Sequence, residues 1–239
     1  MRAWLLIVVV GCSNGGDNDY KIDHGGGGGV IGGDGDDSAS DAGVDSAADG
    51  ITGRVCLVTD LRTLSPCANT GVADLLVQLG TKTTTTNDDG SFTIPTPSGS
   101  NLLWRVTGAN LAPSAMPFST SKTIPAINAD VYDDLLLSNG LILSGDQGSL
   151  MVRVTRDNTA VVGATATASP ESAYAPYYDS NVATVWDQDE TGSYGVAWIV
   201  GAEPGTTTIT VTPDLGTAGM IELPVETGGI TFGALALPM

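Results

Sequence analysis

Between residues 51 and 123 apolar and polar positions alternate in short runs: Ile51-Thr52-Gly53-Arg54-Val55-Cys56-Leu57-Val58, Leu75-Leu76-Val77-Gln78-Leu79 and Phe92-Thr93-Ile94. Turn residues separate them. A period of two puts alternate side chains on opposite faces, so these runs predict the half-buried strands of a small β-sandwich. Asp89-Gly90, between the threonines 83–86 and Phe92-Thr93-Ile94, predicts a hairpin, because Gly supplies the positive φ of a tight turn. A second copy of the pattern follows at Gly148 to Val154, Val161 to Thr167, Thr191 to Val196 and Thr206 to Val211. Aligning Gly53 with Gly148 and Gly90 with Gly192 gives offsets of 95 and 102 residues, which predicts two tandem modules. Residues 128–140 between them are the one helical candidate. They offer an Asn128 cap, early acids and a Gly140 stop, with Val131, Leu135 and Leu136 placed to face a module.

The folded patterns are preceded by a different kind of chain. Residues 13–50 hold twelve Gly, nine Asp and almost no large apolar side chains, too little buried surface to offset the entropy of ordering. This stretch is expected to be a disordered tether spanning about 35 Å root-mean-square as a flexible coil. Asp34, Asp36, Asp37, Asp41 and Asp45 lie close together in it but lack the spacing and the final Glu of a calcium loop. A solvated acidic linker is the expectation.

Before the tether, Arg2 is followed by an apolar run from Ala3 to Val10, too short to span a bilayer, which reads as the core of a signal peptide. It ends in Val9-Val10-Gly11-Cys12, which resembles the bacterial lipobox. That resemblance implies cleavage before Cys12 and lipid on its sulfur. A further acyl chain on the new amino group would supply the second chain that stable anchoring needs. Ser13 rather than Asp follows the Cys, which by resemblance to enterobacterial sorting implies the outer membrane.

Thr86-Asn87-Asp88-Asp89-Gly90-Ser91-Phe92-Thr93-Ile94, with the Gly-x-Val opening at Gly53 and the Gly71-Val72 pair, resembles the carboxypeptidase regulatory-like, or transthyretin-like, domain. The resemblance covers residues 51–123. It implies a small Greek-key, Ig-like sandwich without catalytic residues, found beside peptidases, transporters or adhesins. The arrangement as a whole is similar to predicted myxobacterial surface lipoproteins. The chain is thus expected to be all-β, with two tandem transthyretin-like sandwiches, a short connecting helix and a Gly/Asp-rich tether. The expected divisions are signal peptide 1–11, lipidated Cys12 and linker 12–50, sandwich 51–123, connector 124–147 and second sandwich 148–239.

Charge narrows the partners. The net charge of -18 divides into -8 for residues 13–50 and -11 for residues 51–239, with Arg2 restoring one positive charge. Such a surface repels phosphate backbones and carries no basic stripe, so nucleic acid is excluded as a partner. Cys56 and Cys67, eleven residues apart in a compartment where disulfides persist, are expected to bond. Closing that loop would contribute on the order of 3 kcal/mol.

Candidate chemistry is sparse. The only histidine, His24, lies in the tether, so no nucleophile–histidine set or His-ligated zinc can be assembled on a rigid scaffold. Asp88, Asp89, Asp187, Asp189 and Glu190 sit in turns, where hydrogen bonding to the local backbone accounts for them better than acid–base work. No metal, cofactor or enzymatic activity is expected. The second module exceeds the first between Ser169 and Gln188, where Tyr174, Tyr177, Tyr178, Asp179, Trp186 and Asp187 gather. Rings beside carboxylates suit stacking on a sugar or a protein contact, which makes these six a candidate binding face, but covering the open end of a small core is the preferred reading of the rings. Trp104 and Trp198 are assigned to cores. The expected function is display of non-catalytic interaction modules for protein or glycan at the bacterial surface, anchored to the membrane through the N-terminal lipid. The alternative is an accessory or scaffold subunit of an envelope peptidase or glycan-handling system.

Overall fold

Alternation becomes strand over residues 51–57, 76–79, 92–94, 148–154, 164–167 and 206–211, whereas residues 191–195 form a turn that leads into a strand. A computed structural model describes residues 50–63, 71–119, 122–182 and 184–239, which fall within one compact unit, Asp45–Met239. The first repeat comprises β1 (Gly50–Leu57), β2 (Leu76–Leu79), β3 (Lys82–Thr85), β4 (Ser91–Pro95), β5 (Leu103–Thr107), β6 (Leu111–Ala112), β7 (Ser114–Pro117) and β8 (Thr123–Asn128). One sheet runs β4-β1-β8-β6 and the other contains β7-β5-β2-β3. Val55, Val77, Leu79, Phe92, Ile94, Trp104 and Ile124 fill the space between them, so Trp104 is a core residue as expected. The first sandwich ends with β8 at Asn128 rather than at residue 123, because β8 pairs in parallel with β1.

The second repeat comprises β9 (Gly148–Arg156), β10 (Thr159–Ala160), β11 (Ala164–Ser169), β12 (Tyr177–Tyr178), β13 (Val196–Ala202), β14 (Gly205–Pro213), β15 (Gly219–Val225) and β16 (Ile230–Ala236). Its sheets contain β12-β13-β9-β16 and β11-β14-β15, around a core of Leu150, Val152, Ile199, Ile209, Val211 and Leu223. β4-β1-β8 therefore corresponds to β13-β9-β16, and β2-β5-β7 to β11-β14-β15.

Local hydrogen bonds set the register of the two copies. The Thr86 hydroxyl accepts from Leu75 N–H at 3.0 Å and donates to the Val72 carbonyl at 2.6 Å. The Thr191 hydroxyl does the same with Ala164 (2.9 Å) and Val161 (2.7 Å). Gly90 (φ +79°) and Gly195 (φ +67°) then occupy one position, each so close to a carbonyl oxygen, of Val55 or Val154, that a Cβ would lie 2.7 Å from it. Gly90 thus aligns with Gly195, not with Gly192 as the sequence alignment placed it. The repeated signal is Thr-x-x-x-Gly, at 86–90 and 191–195.

The turn at Asp89-Gly90 also differs from expectation. β3 pairs with β2 and β4 pairs with β1, so the turn carries the chain between sheets instead of closing a hairpin. Crossing is what lets Phe92 and Ile94 face the core from the sheet opposite Val77 and Leu79. The tight hairpin lies at Gly80-Thr81, where Leu79 pairs with Lys82 and Gly80 has φ +58°.

The repeats share a sheet. β7 of the first pairs in parallel with β16 of the second, giving one continuous order β12-β13-β9-β16-β7-β5-β2-β3. The register Ile230↔Ser114 and Val106↔Ser114 puts the core faces of β5 and β7 on the same side as Ile230 and Phe232. On that side the β4-β1-β8-β6 sheet covers the first half of the shared sheet. Beyond it, α1 (Ala129–Ser138) helps cover the second half. On the other side the β11-β14-β15 sheet covers only the second half. β13, Val196–Ala202, is consequently buried along its whole length, as an unbroken apolar run should be.

The helix starts and stops as the sequence predicts. Asn128 caps it by accepting from Asp130 N–H, and Gly140 adopts φ +69° beyond its end. Its buried face is Tyr132 and Leu136, one turn apart, whereas Val131 is exposed. Tyr132 can be buried because its hydroxyl reaches Ser149 Oγ at 2.6 Å. No helix among the described residues is long and apolar enough to cross a membrane.

Candidate functional site

The six residues singled out between Ser169 and Gln188 do not form an exposed face. Trp186 is 1% exposed and meets Trp198 edge-on, with ring centroids 5.4 Å apart. Tyr177 packs on the same Trp198, and Tyr174 lies against the same cluster while its hydroxyl donates to the Ile142 carbonyl at 3.0 Å. Tyr178 belongs to the other core. Asp179 is fully buried and accepts from the N–H groups of Gly192, Tyr194 and Val196 at 3.0, 2.8 and 2.7 Å. Only Asp187 is exposed, next to Gln188. The reason is the staggered architecture: the second half of the shared sheet has no covering sheet on this side, and this excursion and α1 supply the apolar surface instead.

A residue absent from the sequence expectations ties this layer to the first repeat. Arg62 is 6% exposed; its guanidinium pairs with Asp60 at 2.8 Å, donates to the Ser180 carbonyl at 2.7 Å and lies 4.5 Å from the centroid of the Tyr194 ring. Burial pushes the Asp60 carboxyl up, but hydrogen bonds from the Arg62 side chain and backbone, with its charge, hold it below the ordinary value. The hydrogen bond to Asp60 in turn raises Arg62. Nothing in its sequence neighbourhood, Asp60-Leu61-Arg62, distinguishes it from a solvated turn.

The remaining expected groups are accounted for locally. Asp89 is exposed and bound by Ser91, whose hydrogen bonds hold its carboxyl below the ordinary value. Asp88, Asp189 and Glu190 are exposed. Cys56 is buried in β1 and is not a free thiol, while Cys67 lies outside the described residues. Cys12, His24 and the acidic linker also lie outside them. No group of three or more His, Cys, Asp or Glu able to hold a metal occurs among the described residues.

The stagger leaves one recess open. Beneath the first half of the shared sheet, where the described residues place no second sheet, a groove of about 760 Å³ runs between that sheet and β15. Leu102, Leu103, Pro117 and the 42% exposed ring of Phe118 line it on one side, with Glu222 and Pro224 on the other. Arg105 also borders it and pairs with Glu226 at 2.6 Å. Among the described residues β15 is an edge strand, bonded to β14 alone. Pro224, which has no N–H, must face outward from β14, so Glu222 and Met220, two and four positions earlier, also turn their backbone groups outward. The Pro224 carbonyl is capped by the Thr231 hydroxyl at 2.7 Å. A proline inside an alternating run was the sequence signal for an edge strand here.

No family model matches the chain, and no curated protein matches it. Among solved structures it is similar to the Bacillus anthracis TIE protein, with 13% identity and a TM-score of 0.26 over 78% of this chain and 34% of that one. It thus spans about a third of the length of the TIE protein. It is also similar to the shaft pilin SpaA from Lactobacillus rhamnosus GG, with 10% identity and a TM-score of 0.25 over 80% of this chain and 98% of that one. Likenesses this faint say nothing of what the chain binds.

Proposed function

We propose that the chain is a lipoprotein of the bacterial cell envelope, lipidated on Cys12, whose paired sandwiches make non-catalytic contacts outside the cytoplasm. The observation that carries this reading is an order along the chain. Val9-Val10-Gly11-Cys12 comes first, then a stretch with twelve Gly and nine Asp, and then β1 from Gly50. An anchor, a polar spacer and a folded head follow one another as a tethered module requires. The outer membrane is the proposed location, from Ser13 after the Cys.

Protein is favoured over glycan as the contact, because Trp186 and Tyr178, the rings best suited to stack on a sugar, are committed to cores. The buried state of Cys56 and its lack of a free thiol support the bond to Cys67 in an oxidising compartment. Radiolabelled palmitate should enter the wild-type chain in its bacterial host and not Cys12→Ala. Equal labelling of both would remove the anchor from this reading.

A further inference from the structure

β15 of the second repeat stands where β7 stands in the first, and the two outer edges differ in what lies against them. Pairing through the aligned threonines makes Gly219 the counterpart of Ser114, and Met220 the counterpart of Ala115. The edge of β7 is filled by a parallel strand: Ile230 and Thr231 of β16 pair with Ser114 and Ala115, and Ile230 N–H donates to the Pro113 carbonyl at 2.8 Å. The corresponding edge of β15 is paired with nothing among the described residues, and the groove lies along it.

We propose that this edge takes an extended polypeptide strand from a partner protein, added parallel to β15, with alternate apolar side chains turned into the groove. The molecule itself supplies the precedent for the occupant, since β16 is such a strand on the equivalent edge. Met220 and Glu222 present the backbone N–H and C=O groups that an added strand would use. Phe118, Leu102, Leu103 and Pro117 receive one face of it, while Arg105 and Glu222 offer charges of both signs to polar side chains. The opposite face of the added strand would extend the polar outer surface of β14, Thr206, Thr208, Thr210 and Thr212. Pro224, without an N–H and with its carbonyl already capped, ends the template on one side. The opposite edge of the same sheet is less suited: the backbone of Ala164 and Ala166 on β11 is occupied by Thr191 and Tyr178.

This deepens the reading of the sandwiches as protein-contact modules and does not depend on the lipid, so the palmitate test and the following one fail separately. The probe is a fluorescein-labelled peptide with the sequence of residues 228–236, the strand that fills the equivalent edge. Added to the full chain in detergent, it is expected to bind saturably and to slow hydrogen exchange at the Met220 and Glu222 amides. Met220→Pro, which removes an outward N–H without touching the β14 ladder, should weaken binding by about tenfold. Met220→Ala, which keeps the N–H, should leave it unchanged. Phe118→Ser, outside the strand, should also weaken it, and decides the matter if the proline variant does not fold. No binding, binding indifferent to both Met220→Pro and Phe118→Ser, or protection at β3 or β4 instead would overturn the proposal. So would protection of Met220 and Glu222 without peptide: rising with protein concentration, it would assign the edge to a second copy, and independent of concentration, to another part of this chain.

Discussion

The Tyr178 hydroxyl plugs the backbone of Ala166, accepting from its N–H at 2.7 Å and lying 3.4 Å from its carbonyl. Ala166 turns these groups away from β14, at the edge of the β11-β14-β15 sheet, so the tyrosine satisfies what a neighbouring strand would otherwise satisfy. Its ring is meanwhile buried in the second core, and that burial raises the hydroxyl above its ordinary value. This is a structural post, not a binding side chain.

Tyr178→Phe keeps the ring and removes the hydroxyl. It is expected to lower stability by about 1–3 kcal/mol, the cost of leaving a buried N–H unpaired. Urea unfolding followed by tryptophan fluorescence measures it; a midpoint equal to wild type would show that water replaces the hydroxyl.

Trp186→Ala tests the same conclusion for the other ring. A fully buried Trp beside Trp198 leaves a cavity when truncated, and a loss of about 3–5 kcal/mol follows. The near-ultraviolet circular dichroism of the edge-on pair should change in the folded variant. Full stability with lost glycan binding would instead return Trp186 to the contact face, the second reading of its sequence.

Asp60 carries a pH dependence. Its carboxyl is held below the ordinary 3.8 in the folded chain, against burial, by the hydrogen bonds and charge of Arg62. The pair's contribution is therefore complete above that value and is lost as pH falls through the lower folded value. Asp60→Asn should cost roughly 2 kcal/mol at about pH 7 and progressively less as the pH falls below the ordinary 3.8. Urea midpoints of both proteins across that range decide it, and a pH-independent difference would contradict the assignment.

Much of the fold was legible because it is local. The helix was readable from Asn128 and Gly140, whose cap and positive φ need no distant partner. Gly90 was likewise readable as a turn residue, yet whether the chain turned back on its own strand or crossed to the other sheet depended on where Phe92 and Ile94 find Trp104 and Val77. The register of the repeats was three residues off at Gly192 because two glycines lie near each other; Gly195, four residues after Thr191 as Gly90 is after Thr86, is the one with a positive φ against a strand carbonyl. Rings between Ser169 and Gln188 read better as a cover than as a contact face, and the structure makes them a cover, but their sequence does not say which core each ring joins. Asp179 shows the same limit: a carboxylate that accepts three backbone N–H groups looks no different in sequence from one facing water.

By itself, then, the sequence determined the all-β character, the two copies, the single capped helix and the core places of Trp104 and Trp198, since periodicity, turn chemistry and capping act over a few residues. The tertiary structure alone decided that β7 and β16 join the copies into one sheet, that Arg62 reaches Ser180, and that β15 keeps an edge unpaired among the described residues, beside a groove. Strand pairing joins backbone groups that every residue carries, so side-chain pattern marks a strand without naming its neighbour. Which edge is filled follows from how the two sandwiches stagger, a relation between residues more than a hundred positions apart, such as Ser114 and Ile230.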